Sequence, residues 1–173
     1  ETVRTYYLPF DSAPPAGTAE VYEHEMPGGQ YTNLKEQADS MGLGAKWHQI
    51  ARTYADVNMA FGDIVKVTPS SKVVGDMALF LVSHNMTVAD LERLPVDHQL
   101  HLPNSVVEMF SGALGAPEGG WPKGLERVIL RGGEARPGRP GAHLAAVDLA
   151  AAKAGVEKKL GHKISRTDLM SYL

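Results

Sequence analysis

Seven histidines, no cysteine and scattered hydroxyl, carboxylate and lysine side chains set the chemistry open to this chain of 173 residues. His98 and His101 stand three apart with Asp97 beside them, a spacing that can bring two imidazoles to one metal ion. Pro95 and Pro103 bracket them in a loop and no third ligand is identifiable, so the plainer reading is a pair of exposed loop histidines. His24 and Glu25 could serve as an acid–base pair, but neighbours in an extended segment point to opposite sides. One is expected to anchor the following turn by hydrogen bonds and the other to face solvent. Pro27-Gly28-Gly29-Gln30 could cradle an anion on backbone amides ahead of a helix. It lacks the Lys-Ser/Thr of a phosphate-binding loop and follows no clear strand. The alternative is a tight reversal where a side chain would strike a neighbouring segment. Thr68-Pro69-Ser70-Ser71-Lys72 gathers three hydroxyls and an ammonium at a helix start. That is either an anion site or simple N-capping, with Lys72 solvated or paired to Asp76.

Other candidates read as structure. Trp47, Tyr54 and Phe61 recur every seven residues on one apolar face, which favours core packing over an aromatic ligand box. Met26, Met41, Met59, Met77 and Met86 suit gap-filling between helices better than redox chemistry. A net charge of −3 leaves no broad basic field for nucleic acid or an anionic membrane. Without cysteine there is no disulfide and no thiolate metal site, a composition that fits a reducing compartment. No apolar run approaches the roughly 20 residues of a membrane helix.

The elements that must position these residues are helical. Val3, Tyr6, Tyr7 and Phe10 open the chain in an amphipathic pattern that reads as a helix cut within its length. Pro9 and then Pro14-Pro15-Ala16-Gly17 end it and open a loop. Residues 19–26 could be extended. Helices are expected from about Tyr31 to Met41, over Trp47 to Phe61, and from Thr68 as N-cap with Pro69 at the first position. Asn85 is a left-handed stop. Thr87-Val88-Ala89-Asp90 resembles a capping box, Val106 to Leu114 forms a helix ended by Gly115, and Pro122 starts another. Residues 133–147, rich in Gly and Pro, read as a linker. Asp148 caps a final long helix stopped by Gly161, and Ser165 to Asp168 begins one more, which also stops inside an apolar pattern. No stretch alternates long enough to build a sheet. The fold class is all-α, a bundle of seven to nine short helices, with a core of Trp47, Ile50, Tyr54, Phe61, Val74, Met77, Ala78, Leu81, Val107, Phe110 and Leu114.

Longer motifs carry a resemblance. His24-Glu25-Met26-Pro27-Gly28-Gly29-Gln30-Tyr31-Thr32-Asn33-Leu34 and Thr68-Pro69-Ser70-Ser71-Lys72-Val73-Val74-Gly75-Asp76 resemble the later part of the carboxyltransferase domain of pyruvate carboxylases. Phe61-Gly62-Asp63-Ile64-Val65-Lys66-Val67, Gly119-Gly120-Trp121-Pro122 and Asp168-Leu169-Met170-Ser171-Tyr172-Leu173 extend it over nearly the whole chain. Trp121 stands where Phe is commoner, and Ala145-Ala146 where a proline is often found. The oxaloacetate decarboxylase α subunit and the transcarboxylase carboxyltransferase subunit share the Pro-Gly-Gly turn but usually differ at Gln30-Tyr31-Thr32 and at residues 71–76.

The resemblance implies a piece of a biotin-dependent ligase that forms a carbon–carbon bond, making oxaloacetate from pyruvate, bicarbonate and ATP for gluconeogenesis and the citric acid cycle. In that family a TIM-type barrel is followed by helices that form a funnel over its mouth, where barrel active sites lie. Residues 1–132 would be that funnel, 133–147 a linker, and 148–173 helices leading towards the allosteric domain. Biotin, ATP with Mg and a divalent Zn or Mn would belong to the parent enzyme, with no catalytic, cofactor-binding or metal-ligating residue on this piece. Gln30, Tyr31 and Lys72 are the residues expected nearest the funnel throat. The partners would be the barrel and other domains of the same enzyme, a tetrameric homo-oligomer, with self-association of the piece alone. Val3, Tyr6, Tyr7, Phe10 and residues 26–34 would supply the exposed apolar surface. The implied location is cytoplasmic in a bacterium and the mitochondrial matrix in an animal. A stand-alone helical interaction module is the other reading.

Overall fold

The computed structural model describes residues 2–11 and 16–172. Among them are ten α-helices and no strand. Ser12 to Pro15, the centre of the expected first loop, lie outside the described residues. The chain divides into two compact units, residues 1–140 and 141–173.

In the first unit α1 (Thr2–Tyr7) and a 3-10 turn (Leu8–Phe10) bury nothing; Phe10 is 83% exposed. α2 (Val21–His24) is one helical turn where an extended segment was expected, closed by Glu25 in the left-handed conformation at φ 56°. α3 (Gly28–Ser40) starts three residues earlier than its apolar pattern suggests, and Leu34 and Ala38 face inward. In α4 (Trp47–Ala60) the buried Trp47, Ile50, Ala51, Tyr54, Val57 and Asn58 keep the helical period. α5 (Ser70–Ser83) buries ten residues, from Ser70 to Val82, because α3, α4 and α7 (Asn104–Phe110) all pack on it. A helix apolar on nearly every side is the one the others surround.

Thr68 does not cap α5. Pro69 holds the N-cap place, while the Ser70 hydroxyl accepts Val67 N–H at 3.1 Å. Asn85 does supply the left-handed stop at φ 52°. The capping box of α6 (Val88–Glu92) is complete, with Thr87 Oγ1 accepting Asp90 N–H and Asp90 accepting Thr87 N–H. α8 (Lys123–Ile129) follows Pro122 and packs on α6 and α7.

Two members of the expected core are misplaced. Val106, not Val107, points fully inward, and Leu114 is 51% exposed. Val107 sits inside α7, partly buried against the core; for Leu114 the cause is Gly112, not Gly115, which ends α7 at φ 79° and turns the chain before Leu114 can follow the helical face. A Cβ at Gly112 would come within 2.9 Å of the Arg136 carbonyl, so the position favours glycine twice over.

The second unit holds α9 (Leu149–Leu160) and α10 (Arg166–Met170). Asp148 accepts the Ala150 and Ala151 N–H groups at 2.9 and 3.0 Å, Gly161 closes α9 at φ 74°, and Ser165 with Asp168 forms a second capping box. No helix among the described residues is long and apolar enough to cross a membrane.

Candidate functional site

Apart from His98 and His101, the residues singled out for chemistry gather around α3 and the start of α5, and the period of α3 decides which meet. Starting the helix at Gly28 places Gln30, Asn33 and Gln37 on one flank. Together with Glu36, Ser40, Thr68, Ser71 and Lys72 they line a polar cleft of about 510 Å³ between α3 and the start of α5. Gln30 and Lys72 therefore share one cleft. Tyr31, one residue and about 100° further round the helix, lies instead in an apolar cleft of about 280 Å³ with His24, Met26, Gly28 and Thr32. Gln30 and Tyr31 thus face different clefts from two flanks of α3, with Lys72 of α5 lining the polar one.

Gly75 of α5 lies directly under Gln30. A Cβ there would overlap the Gln30 carboxamide and approach Leu34 Cδ1 to 3.0 Å. That close passage lets α3 settle on α5 with Gln30 buried between them. Lys72 does not wait for an anion: its Nζ is 2.6 Å from Asp76 Oδ2, which also accepts the Ser105 hydroxyl at 2.5 Å. Amide and hydroxyl groups dominate the remaining lining, suited to a neutral hydrogen-bonding ligand.

The apolar cleft is built on an aromatic run. The His24 ring centroid is 5.4 Å from that of Tyr31, and Tyr31 stands edge-on to Trp47 at 5.1 Å, a favourable arrangement of ring quadrupoles. His24 is buried and its Nδ1 accepts Met26 N–H at 2.9 Å, while Glu25 turns out to pair with Lys66 Nζ at 2.7 Å. The roles foreseen for this pair, one an anchor and one outward, are thus filled by His24 and Glu25 respectively. Burial pushes the His24 pKa below its ordinary value, against the opposing pull of Glu20 and Glu23. The hydrogen bond from Lys66, then its charge, holds Glu25 low. Gly28 and Gly29 differ from expectation: they begin α3, and a Cβ on either would meet nothing within 4 Å. The Met26 to Leu34 stretch is not an exposed apolar surface, since Met26 and Leu34 are both buried.

His98 is not an exposed loop histidine. It is buried, its Nε2 lies 3.2 Å from the Val128 carbonyl, and Nδ1 has no hydrogen-bond partner. His101 is exposed and lines a separate cleft with Arg131 and Asn104. Among the described residues no three His, Asp or Glu side chains come close enough to hold a metal ion. Burial also raises the pKa of Tyr54, in the core of α4, to about 12.

Sequence reasoning missed Asn33, Gln37 and Thr32 as cleft residues. The available signal was helical spacing from Gly28, hidden because glycine is a poor helix former and suggested a later start.

The conserved carboxylase domain family matches residues 21–173. Pyruvate carboxylase of Bacillus subtilis is 47% identical over 172 residues, covering 99% of this chain and 15% of that protein. The carboxyl transferase domain of Rhizobium etli pyruvate carboxylase, solved with oxamate and biotin, is 52% identical with a TM-score of 0.83, over 99% of this chain and 29% of that one. The complete multifunctional Rhizobium etli pyruvate carboxylase gives 52% identity and a TM-score of 0.84, over 99% of this chain and 17% of that one. The chain thus spans about 15% of the length of the curated relatives it matches.

Proposed function

The chain belongs to the conserved carboxylase domain family, and from that premise we propose that it is the helical funnel of a biotin-dependent pyruvate carboxylase. The observation that carries this reading is the all-helical chain's match to 29% of a solved carboxyl transferase domain, along 99% of its own length. In that reading a barrel elsewhere in the same protein holds the divalent metal and the pyruvate, and further domains hold ATP with Mg and carry biotin. Biotin when bound carries the carboxyl group; this chain's residues would restrict water and shape the approach to the barrel mouth. Gln30, Tyr31 and Lys72 would lie nearest that approach, Gln30 and Lys72 through the polar cleft and Tyr31 through the apolar one. Residues 1–132 would form the funnel, 133–147 a linker, and 148–173 the way to the allosteric domain. The exposed Val3, Tyr6, Tyr7 and Phe10 would pack on the rest of the carboxyltransferase domain. The protein would be a tetramer, cytoplasmic in a bacterium and mitochondrial in an animal.

The test compares the full-length protein with residues 1–173 alone, each assayed for carboxylation of pyruvate and decarboxylation of oxaloacetate with added Zn or Mn. The full-length protein is expected to be active and the 173-residue chain inactive, self-associating on sedimentation through its uncovered apolar face. Metal-dependent turnover by the chain alone, or none by the full-length protein, would sink the proposal.

A further inference from the structure

Helix α3 carries Gln30 and Tyr31 on its first turns, yet Pro27 at its N-cap makes no side-chain capping bond. The chain's entry is instead held from three residues earlier. His24 ends α2, Glu25 turns left-handed, and Met26 N–H donates back to His24 Nδ1. A backbone N–H bonded to the side chain two residues before it is the geometry of an Asx turn. Here an imidazole nitrogen stands in for the carboxamide oxygen. With Nδ1 accepting, the neutral ring carries its proton on Nε2.

We infer that His24 is a positioning residue whose neutral imidazole latches the corner between α2 and α3, and that acid releases this latch together with the helix start bearing Gln30, Tyr31 and Thr32. Only its consequence for carboxyl transfer rests on the proposed function. A proton on Nδ1 turns the acceptor into a second donor facing Met26 N–H, and the bond is lost. The groups around the ring oppose one another. Glu20 and Glu23, beside and within α2, favour the imidazolium; burial disfavours it and is the larger influence. From α4, His48 and Arg52 share a small cleft with His24, and His48 Nδ1 lies 3.7 Å from Glu20. From α3 the Tyr31 ring lies beside it, tilted by 36°, and Glu25 is engaged with Lys66. Because the folded pKa lies below the usual 6.5, the latch contributes fully above that value. Its contribution declines as pH falls below it and is gone beneath the folded value.

The experiment measures amide hydrogen exchange of peptides covering residues 25–34 in the full-length protein, corrected for the intrinsic pH dependence of exchange. Wild type, His24→Asn and His24→Ala are compared, since an asparagine Oδ1 can accept the same N–H without titrating near neutrality. Wild type is expected to lose about tenfold in protection between about pH 7.5 and about pH 5. His24→Asn should be protected equally at both, and His24→Ala at neither. Exchange in His24→Asn as fast as in His24→Ala, or a wild type equally protected at both pH values, overturns the latch. In carboxyl transfer, His24→Ala should lower kcat with little change in KM for pyruvate. His24→Asn should restore kcat and flatten the acid limb of the pH profile. A wild type without carboxyl transfer would overturn the proposed function and leave the exchange data to judge the latch by themselves.

Discussion

Helices α5 and α9 are close in length, yet α5 buries ten of its 14 residues and α9 none of its 12. α5 is held by neighbours distant in sequence, with Val74, Met77, Ala78, Leu81 and Val82 fully enclosed. α9 is held by its own ends: the Asp148 cap, the left-handed Gly161, and Lys158 and Lys159 in the last turn, where cations favour the helix dipole. Its ion pair, Lys153 with Glu157 at 3.7 Å, adds little at a surface. A helix of that length is marginal in water by itself. The difference separates two ways of being helical, one imposed by burial and one written in local signals.

The sharpest way to break that contrast is Leu81→Ala in α5. It should destabilise the first unit by about 2–5 kcal/mol, seen as a lower midpoint in urea denaturation followed by circular dichroism. A loss below about 1 kcal/mol would mean α5 is not the helix the others depend on. Next is Gly75→Ala, which keeps α5 helical but drives a methyl group into the Gln30 carboxamide and Leu34. The expected cost is about 1–3 kcal/mol, despite alanine's better helix propensity. A stabilised variant would show that α3 does not sit tightly on α5. Smallest is Asp148→Ala, expected to cost about 0.5–2 kcal/mol. Its effect should be confined to α9, as faster amide exchange at Ala150 and Ala151 with the midpoint of the first unit unchanged. Asp148→Asn should largely keep the cap.

The same contrast explains what could be read from the chain. The local signals were legible: the Thr87–Asp90 box, the Asp148 cap and the stops at Asn85 and Gly161 are all in place. So was the apolar stripe of α4, because Trp47, Ile50, Tyr54 and Val57 repeat the helical period without interruption. Features set by distant partners were not. Leu114 continues the period of α7, but Gly112 meets Arg136 and ends the helix first. The buried His98 meets the Val128 carbonyl, 30 residues away. In the candidate site Gln30 and Tyr31 belong to the start of α3 and Lys72 to the start of α5, and the division of Gln30 and Tyr31 between two clefts depends on where α3 begins. Two glycines concealed that start.

The two tryptophans occupy different aromatic surroundings. Trp47 stands edge-on to Tyr31, while Trp121 stacks on Phe110 at 4.3 Å and 21°. Both are nearly enclosed, at 7% and 3% exposure, and neither indole N–H has a hydrogen-bond partner. Indoles withdrawn from water emit further to the blue, so the two tryptophans are expected to do so, one beside the α3–α4 contact and one beside the α7–α8 contact. Replacing either with phenylalanine would leave a single optical reporter. Ligand-induced or solvent-induced rearrangement of each region could then be followed separately, without any attached dye.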